Sequence, residues 1–411
     1  MIEGTRLRSA VFRKLLGAGT ALSAALLVAA PAAHAFNPPA PIKIDGGPLG
    51  PLQLSGGADG FAYALTGTGD KTGGGLLGTD KSVGVEFMNG LVELQKSDGL
   101  IQGTIEVGAT NNFVLGAAPT AASIQTFSTG PLYEGYLTLA PSPNFSISAG
   151  QLGSLEGYES GIEWNNFNVL TTDIFSVENS QSTGVEATGT FGPLSGTVEF
   201  GDGFDTQQWS YLQASATYTA NSNNVLTVFG ATNLATIGAG AKFYGNANLA
   251  YNSTANTVGA RGLGSLVNSS MVGAYYSWTM GNLNIVPEAQ YTWVTKTPSV
   301  GVADFSSNLG LAVFADYQFG KSPYSLGGFI EYFSNTGQNA FFLNPRSQGF
   351  GISLTPTWQG KYLFVRGDIG WIHLTSLGDS TVAGYAGGYG GGAAPTGRDQ
   401  ATFLIETGVL F

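Results

Sequence analysis

The stretch Ala401-Thr-Phe-Leu-Ile-Glu-Thr-Gly-Val-Leu-Phe411 alternates along its whole length. Successive side chains of an extended strand point to opposite sides. Phe403, Ile405, Thr407, Val409 and Phe411 therefore share one face, and Thr402, Leu404, Glu406 and Gly408 the other. The same period runs back through the chain. In 362–373, Leu363, Val365, Ile369 and Trp371 oppose Arg366 and Asp368. In 308–319, Leu309, Leu311, Val313, Tyr317 and Phe319 oppose Asp316 and Gln318. Strands of about ten residues with one apolar and one polar face fit lipid outside and water inside. A soluble sandwich alternates as well, apolar face inward, so period alone leaves both open.

Three further features favour a barrel. Aromatics sit at strand ends (Trp278, Trp293, Phe319, Trp358, Trp371 and Phe411), where amphipathic rings form interfacial girdles. Turns alternate between short, such as Gly192-Pro193, Gly281-Asn282 and Gln359-Gly360, and long, such as 335–346 and 375–400. The chain also ends on an aromatic that closes an amphipathic strand. Strands are expected near 60–67, 83–96, 99–110, 130–140, 143–151, 181–191, 194–202, 207–220, 223–231, 268–280, 282–296, 305–319, 322–334, 347–358, 360–374 and 401–411. The expected fold is all-β: a closed antiparallel transmembrane β-barrel of about 16 strands, both termini periplasmic. A strand at 241–252 with a partner in the same connection would raise the count to 18. Unpaired backbone is forbidden in hydrocarbon, so 60–67 should pair with 401–411.

Composition agrees. Charged residues make up 10% of the 411, aromatics 12%, with 62 Gly and no Cys. Ordinary soluble domains carry about 25% charged residues. A formal charge of −11 repels phosphate backbones, which sets nucleic acid aside. Without Cys there are no disulfides, thiolate metal sites or cysteine nucleophiles. Residues 1–35 read as a cleaved secretory signal peptide: Arg6, Arg8, Arg13 and Lys14, an apolar run from Leu15 to Ala30, then Ala33-His34-Ala35. Cleavage before Phe36 would remove Glu3 and four bases, leaving 12 Lys+Arg, 26 Asp+Glu and a formal charge of −14. A short periplasmic segment at 36–59 and the barrel at 60–411 complete the expected organisation.

Several segments resemble one family. Gly150-Gln-Leu-Gly-Ser-Leu-Glu-Gly-Tyr-Glu-Ser160, Gly184-Val-Glu186, Phe200-Gly-Asp-Gly-Phe204, Ser353-Leu-Thr-Pro-Thr-Trp358 and Leu404–Phe411 are similar, in this order, to the OmpL-like β-barrel porin family. The resemblance implies an outer-membrane channel of poorly defined solute, and supplies no catalytic or binding positions.

Chemistry beyond passage has little to work with. His373 is the one His after residue 35; with Ser376 or Asp368 it could serve a barrel hydrolase, but a polar residue at the barrel rim is the simpler reading. One His and no Cys argue against zinc, and no twelve-residue calcium loop is present. The chain is therefore expected to be no enzyme, with no cofactor and no metal. Alternation instead sends Glu93, Glu106, Glu186, Glu199, Glu288, Asp316, Glu331, Arg366, Asp368 and Glu406 inward as pore-lining candidates. Nine acids against one base would favour cations, unless bases such as Lys71, Lys81, Lys242, Arg261 and Arg346 neutralise them. The segment 152–180 carries Glu156, Glu159, Glu163, Asp173 and Glu178, no Lys or Arg, and Trp164, Phe167 and Phe175. Such apolar residues want a surface: the inside of the barrel wall, with this segment as a constriction, or neighbouring loops, with its aromatics packed among them outside the barrel.

The expected function is a porin: a water-filled, cation-leaning channel for passive diffusion of small hydrophilic solutes or ions across the cell outer membrane of a Gram-negative cell envelope. A non-conducting barrel that displays loops for adhesion or interaction is the alternative. Expected partners are outer-membrane lipid, the outer-membrane assembly machinery (with Phe411 as its signal) and other copies in a homo-oligomer, but no nucleic acid.

Overall fold

The computed structural model describes residues 38–70, 75–123, 126, 130–178, 181–204, 209–235, 251–252, 257–258, 269–298, 302–339, 341–379, 387–392 and 394–411. Sixteen long strands form the wall: β1 (Pro51–Leu65), β2 (Val83–Lys96), β3 (Ile101–Ala109), β4 (Leu132–Ser142), β5 (Phe145–Leu152), β6 (Ser182–Phe191), β7 (Leu194–Phe204), β8 (Tyr211–Asn221), β9 (Asn224–Asn233), β10 (Ser270–Met280), β11 (Leu283–Val294), β12 (Ser306–Gln318), β13 (Tyr324–Thr336), β14 (Gln348–Gln359), β15 (Leu363–Ser376) and β16 (Asp399–Leu410). Each pairs antiparallel with its neighbours in sequence, and β1 pairs with β16 from Gly57–Leu410 to Leu65–Thr402. Gly56 and Phe411 then exchange backbone hydrogen bonds at 3.0 and 2.9 Å. The sheet closes on itself, as the sequence pattern predicts.

Two expectations change. The first strand starts at Pro51, so residues 51–59, assigned from sequence to the N-terminal segment, belong to the wall; Ile42–Asp45 folds back along them. The alternative of 18 strands does not hold. Residues 241–250 lie outside the described set, and Tyr251–Asn252 pairs with Thr257–Val258 in a separate two-stranded piece. The signal-like residues 1–35 also lie outside it.

One end of the barrel carries tight turns, such as 192–193, 222–223 and 281–282; the other carries long loops, including 66–82, 110–131 and 153–181. The outer surface is apolar. Val85, Leu137, Val198, Ile330, Ile369 and Ile405 are exposed there, as are Trp278, Phe319 and Trp371. Such a face is stable only against lipid.

The inner face departs from simple alternation. Phe61, Tyr63, Met88, Phe314, Phe329, Phe333, Ile372 and Leu404 point inward and are buried in one apolar cluster. Their partners are Phe113 and Leu115 from the loop after β3, and Phe167, Val169, Leu170 and Ile174 from the loop after β5. These two loops join by a parallel pairing of Phe113-Val114 with Leu170-Thr171. Leu115 extends it by donating its N–H to the Thr171 carbonyl at 2.9 Å. An inner layer thus lies against part of the wall. Two inward glycines let it approach: a Cβ at Gly327 would strike the Phe167 carbonyl, and one at Gly370 would strike Leu170 and Leu115.

Candidate functional site: the barrel interior

The loop after β5 folds into the lumen, and its polar groups dock on the wall from several sides. Asp368 on β15 accepts from the N–H groups of Val169 and Leu170, each at 3.0 Å, and from Thr355 Oγ1 at 2.8 Å. Asn168 donates to Ser353 and Thr355 on β14 at 3.0 and 2.8 Å. Glu331 on β13 accepts from the Asp173 N–H at 2.8 Å, in the first turn of the short helix Asp173–Val177, which Thr172 caps. Across the lumen, Leu155 donates its N–H to Gln213 on β8 at 3.1 Å, and Tyr211 donates to Glu156 at 2.8 Å. Trp164 packs with Leu91, Phe364 and Leu410, and Tyr158 packs with Tyr275 and Phe314.

Arg366 is the only buried base among the described residues. It binds Glu406 through Nε at 2.6 Å and the loop's Glu163 through Nη2 at 2.7 Å. A guanidinium is suited to this, because its planar fork engages two carboxylates at once. Glu163 also accepts from the side chain of Asn89. Burial, together with the charges of Asp59 and Glu406, pushes the Glu163 carboxyl above its ordinary range despite Arg366. Burial raises Glu159 to about 8, against hydrogen bonds from Thr172 that pull it down. It raises Asp173 to about 7 against hydrogen bonding to Glu331 and Asn308. Glu178 moves up as well, from burial and then from the charge of Glu288.

The inward charges divide into two groups. Glu331, Arg366, Asp368 and Glu406 are spent on holding the loop, so they anchor it and do not face open water. Glu93, Glu106, Glu186 and Glu199 instead form a ladder. Glu93 stands opposite Glu106, and Glu199 opposite Glu186. Glu134, which stands opposite Glu106, completes it. It lies close enough to Glu93, Glu106, Glu186 and Glu199 to feel their charges. The strand reading overlooked Glu134, although its alternation with Leu137 and Leu139 carries the signal. Asp59 was overlooked because its strand was placed too late. Glu288 points inward with both carboxylate oxygens lacking a hydrogen-bond partner among the described residues, and Asp316 is partly exposed.

Bases named as neutralisers sit elsewhere: Lys81 pairs with Glu86 and Arg346 with Asp379, while Lys71, Lys242 and Arg261 lie outside the described residues. His373 bonds Asp399 at 2.8 Å, and Ser376 donates to the Arg346 carbonyl. Asp368 is engaged with the inward loop, so the structure assembles no nucleophile and base from these three.

A family model described as "Putative beta-barrel porin-2, OmpL-like" matches residues 51–411. No curated protein matches the chain. Among solved structures, an anion-selective porin from Comamonas acidovorans shares 11% identity, with 88% of this chain and 99% of that one covered at a TM-score of 0.56. The trimer form of OmpT, an outer membrane protein of Vibrio cholerae, gives 12%, 88%, 99% and 0.53. Salmonella typhi OmpF in complex with daunomycin gives 16%, 89%, 100% and 0.51. At these identities the likeness is one of fold. The family match covers nearly the whole wall, and the chain belongs to that OmpL-like β-barrel porin family.

Proposed function

We propose that this member of the family is an outer-membrane porin that passes small hydrophilic solutes or ions by passive diffusion and leans toward cations, without enzymatic activity. Family and fold support the porin part. One observation carries the cation preference: the ladder Glu93–Glu106–Glu134 with Glu186–Glu199 lines an arc of wall whose inward neighbours are Gln102, Thr104, Thr138, Ser148 and Thr188. Carboxylates gathered along a polar passage raise the local cation concentration.

The filled arc favours a second reading, a barrel that does not conduct and displays its loops for adhesion or interaction. Single-channel recording in a planar bilayer separates the two: discrete current steps support a porin, and a silent, correctly folded barrel supports display. Phe411 is proposed as the handle for the assembly machinery, since it completes the seam with Gly56. A chain ending at Leu410 should then reach the outer membrane at reduced levels. A homo-oligomer, as in the trimer form of the Vibrio protein, is the proposed assembly, and cross-linking in membranes tests it.

A further inference from the structure

Asp59 on β1, Glu406 on β16 and Glu163 on the inward loop bring carboxylate oxygens within 4.8 Å of one another, and all three residues are buried. One guanidinium serves them. Arg366 donates to both oxygens of Glu406, at 2.6 and 3.0 Å, and to Glu163 Oε1 at 2.7 Å. Its remaining nitrogen turns to the carbonyls of Glu163 and Asn166. Asn89 donates its backbone N–H to Asp59 Oδ1 at 2.6 Å. Asp59 Oδ2 has no hydrogen-bond partner among the described residues. Were all three carboxylates ionised, one guanidinium would leave two negative charges in a site without water contact. Uncompensated buried charge is prohibitively costly.

The donor set indicates the compensation. Each carboxylate oxygen has two lone pairs, so oxygens held by Arg366 or Asn89 can still ligate. Every donor is oxygen, with no His or Cys nearby, which suits a hard divalent cation. Calcium accepts an irregular shell more readily than magnesium does. Asp59 lies opposite Gly408, across the pairing where the barrel closes.

We propose that Asp59, Glu163 and Glu406 bind one calcium ion, which clamps the inward loop to the closing seam of the barrel. The ion neutralises the two excess charges and ties three segments distant in sequence. Its binding does not depend on whether the barrel conducts.

The test uses the protein refolded in detergent, stripped with EDTA, equilibrated with calcium at neutral pH and freed of unbound ion. Metal content and the thermal unfolding midpoint are measured for wild type and for Asp59→Asn, which leaves the Arg366 pairs in place. About one calcium per wild-type chain is expected, with a calcium-dependent rise in midpoint, and both should be lost in the variant. A wild-type chain that retains no calcium overturns the proposal, as does a variant that retains all of it. Should the variant fail to fold, the wild type decides alone. Stabilisation by acid with none from calcium would assign the compensation to protons and overturn the clamp.

Discussion

Two arcs of one wall can be compared directly. From β12 through β16 to β2, inward positions hold Phe314, Phe329, Phe333, Ile372, Leu404, Phe61 and Met88, covered by the loop residues Leu115, Leu170 and Ile174. From β3 to β7, inward positions hold Gln102, Thr104, Glu106, Glu134, Thr138, Ser148, Glu186, Thr188 and Glu199. The outer faces of both arcs are equally apolar, with Val198 exposed on one and Ile369 on the other. Lipid dictates the outside uniformly, while the inside is free to be either a core or a polar surface. One arc stabilises a folded-in loop, and the other is left for charge.

The largest test of that contrast is Arg366→Met, which leaves Glu163 and Glu406 without their guanidinium. Removing one partner of a buried ion pair costs about 3–5 kcal/mol, to be read from urea unfolding, whereas Glu199→Gln on the polar arc should cost far less. Leu170→Ala is expected to cost about 2–5 kcal/mol, because the site cannot fully collapse. A cost as small as that of a surface substitution would show that the inner layer is not packed. Gly327→Ala forces a methyl against the Phe167 backbone and should cost about 1–3 kcal/mol, with faster amide exchange in the inward loop and little change elsewhere. On the polar arc, Thr138→Val removes the 2.8 Å bond to Ser148. Its cost should be about 0.5–1.5 kcal/mol, and parity with Leu170→Ala would erase the distinction between the arcs.

A separate effect is on pH. Glu159 and Asp173 have carboxyls raised to about 8 and about 7 from ordinary values of 4.5 and 3.8. Their neutral forms favour the packed loop, so this contribution is complete below the ordinary values and is lost as pH rises through about 7 to 8. Protection of the loop amides, corrected for intrinsic exchange, should therefore fall between pH 5 and pH 9. Glu159→Gln should flatten that fall.

Alternation exposed the wall to a reader of the sequence, because lipid imposes one rule on every strand. Phe403, Ile405 and Val409 could be placed outside and Glu406 inside from residues 401–411 alone. That the loop after β5 needs a surface was legible too, since Trp164 and Phe167 are poor residues for open water, but not whether that surface is the wall or neighbouring loops. Which inward residues would serve as anchors was not legible. Arg366 and Asp368 look the same as Glu106 in a strand pattern, and only the docked loop distinguishes them. β1 was misplaced at its start because Pro51–Asp59 has no aromatic or β-branched residue and is interrupted by Gly56 and Gly57. The partnership of Phe113 with Leu170 joins two loops, for which no strand periodicity exists.

The most direct measurement is the reversal potential of the protein in a planar bilayer under a potassium chloride gradient, for wild type and for Glu106→Gln/Glu134→Gln/Glu199→Gln. The predicted result is a cation-selective potential in wild type that moves toward zero in the variant with conductance retained, most strongly at low salt, where charges are least screened. An anion-selective wild type, or a variant with the same potential as wild type, would contradict the account.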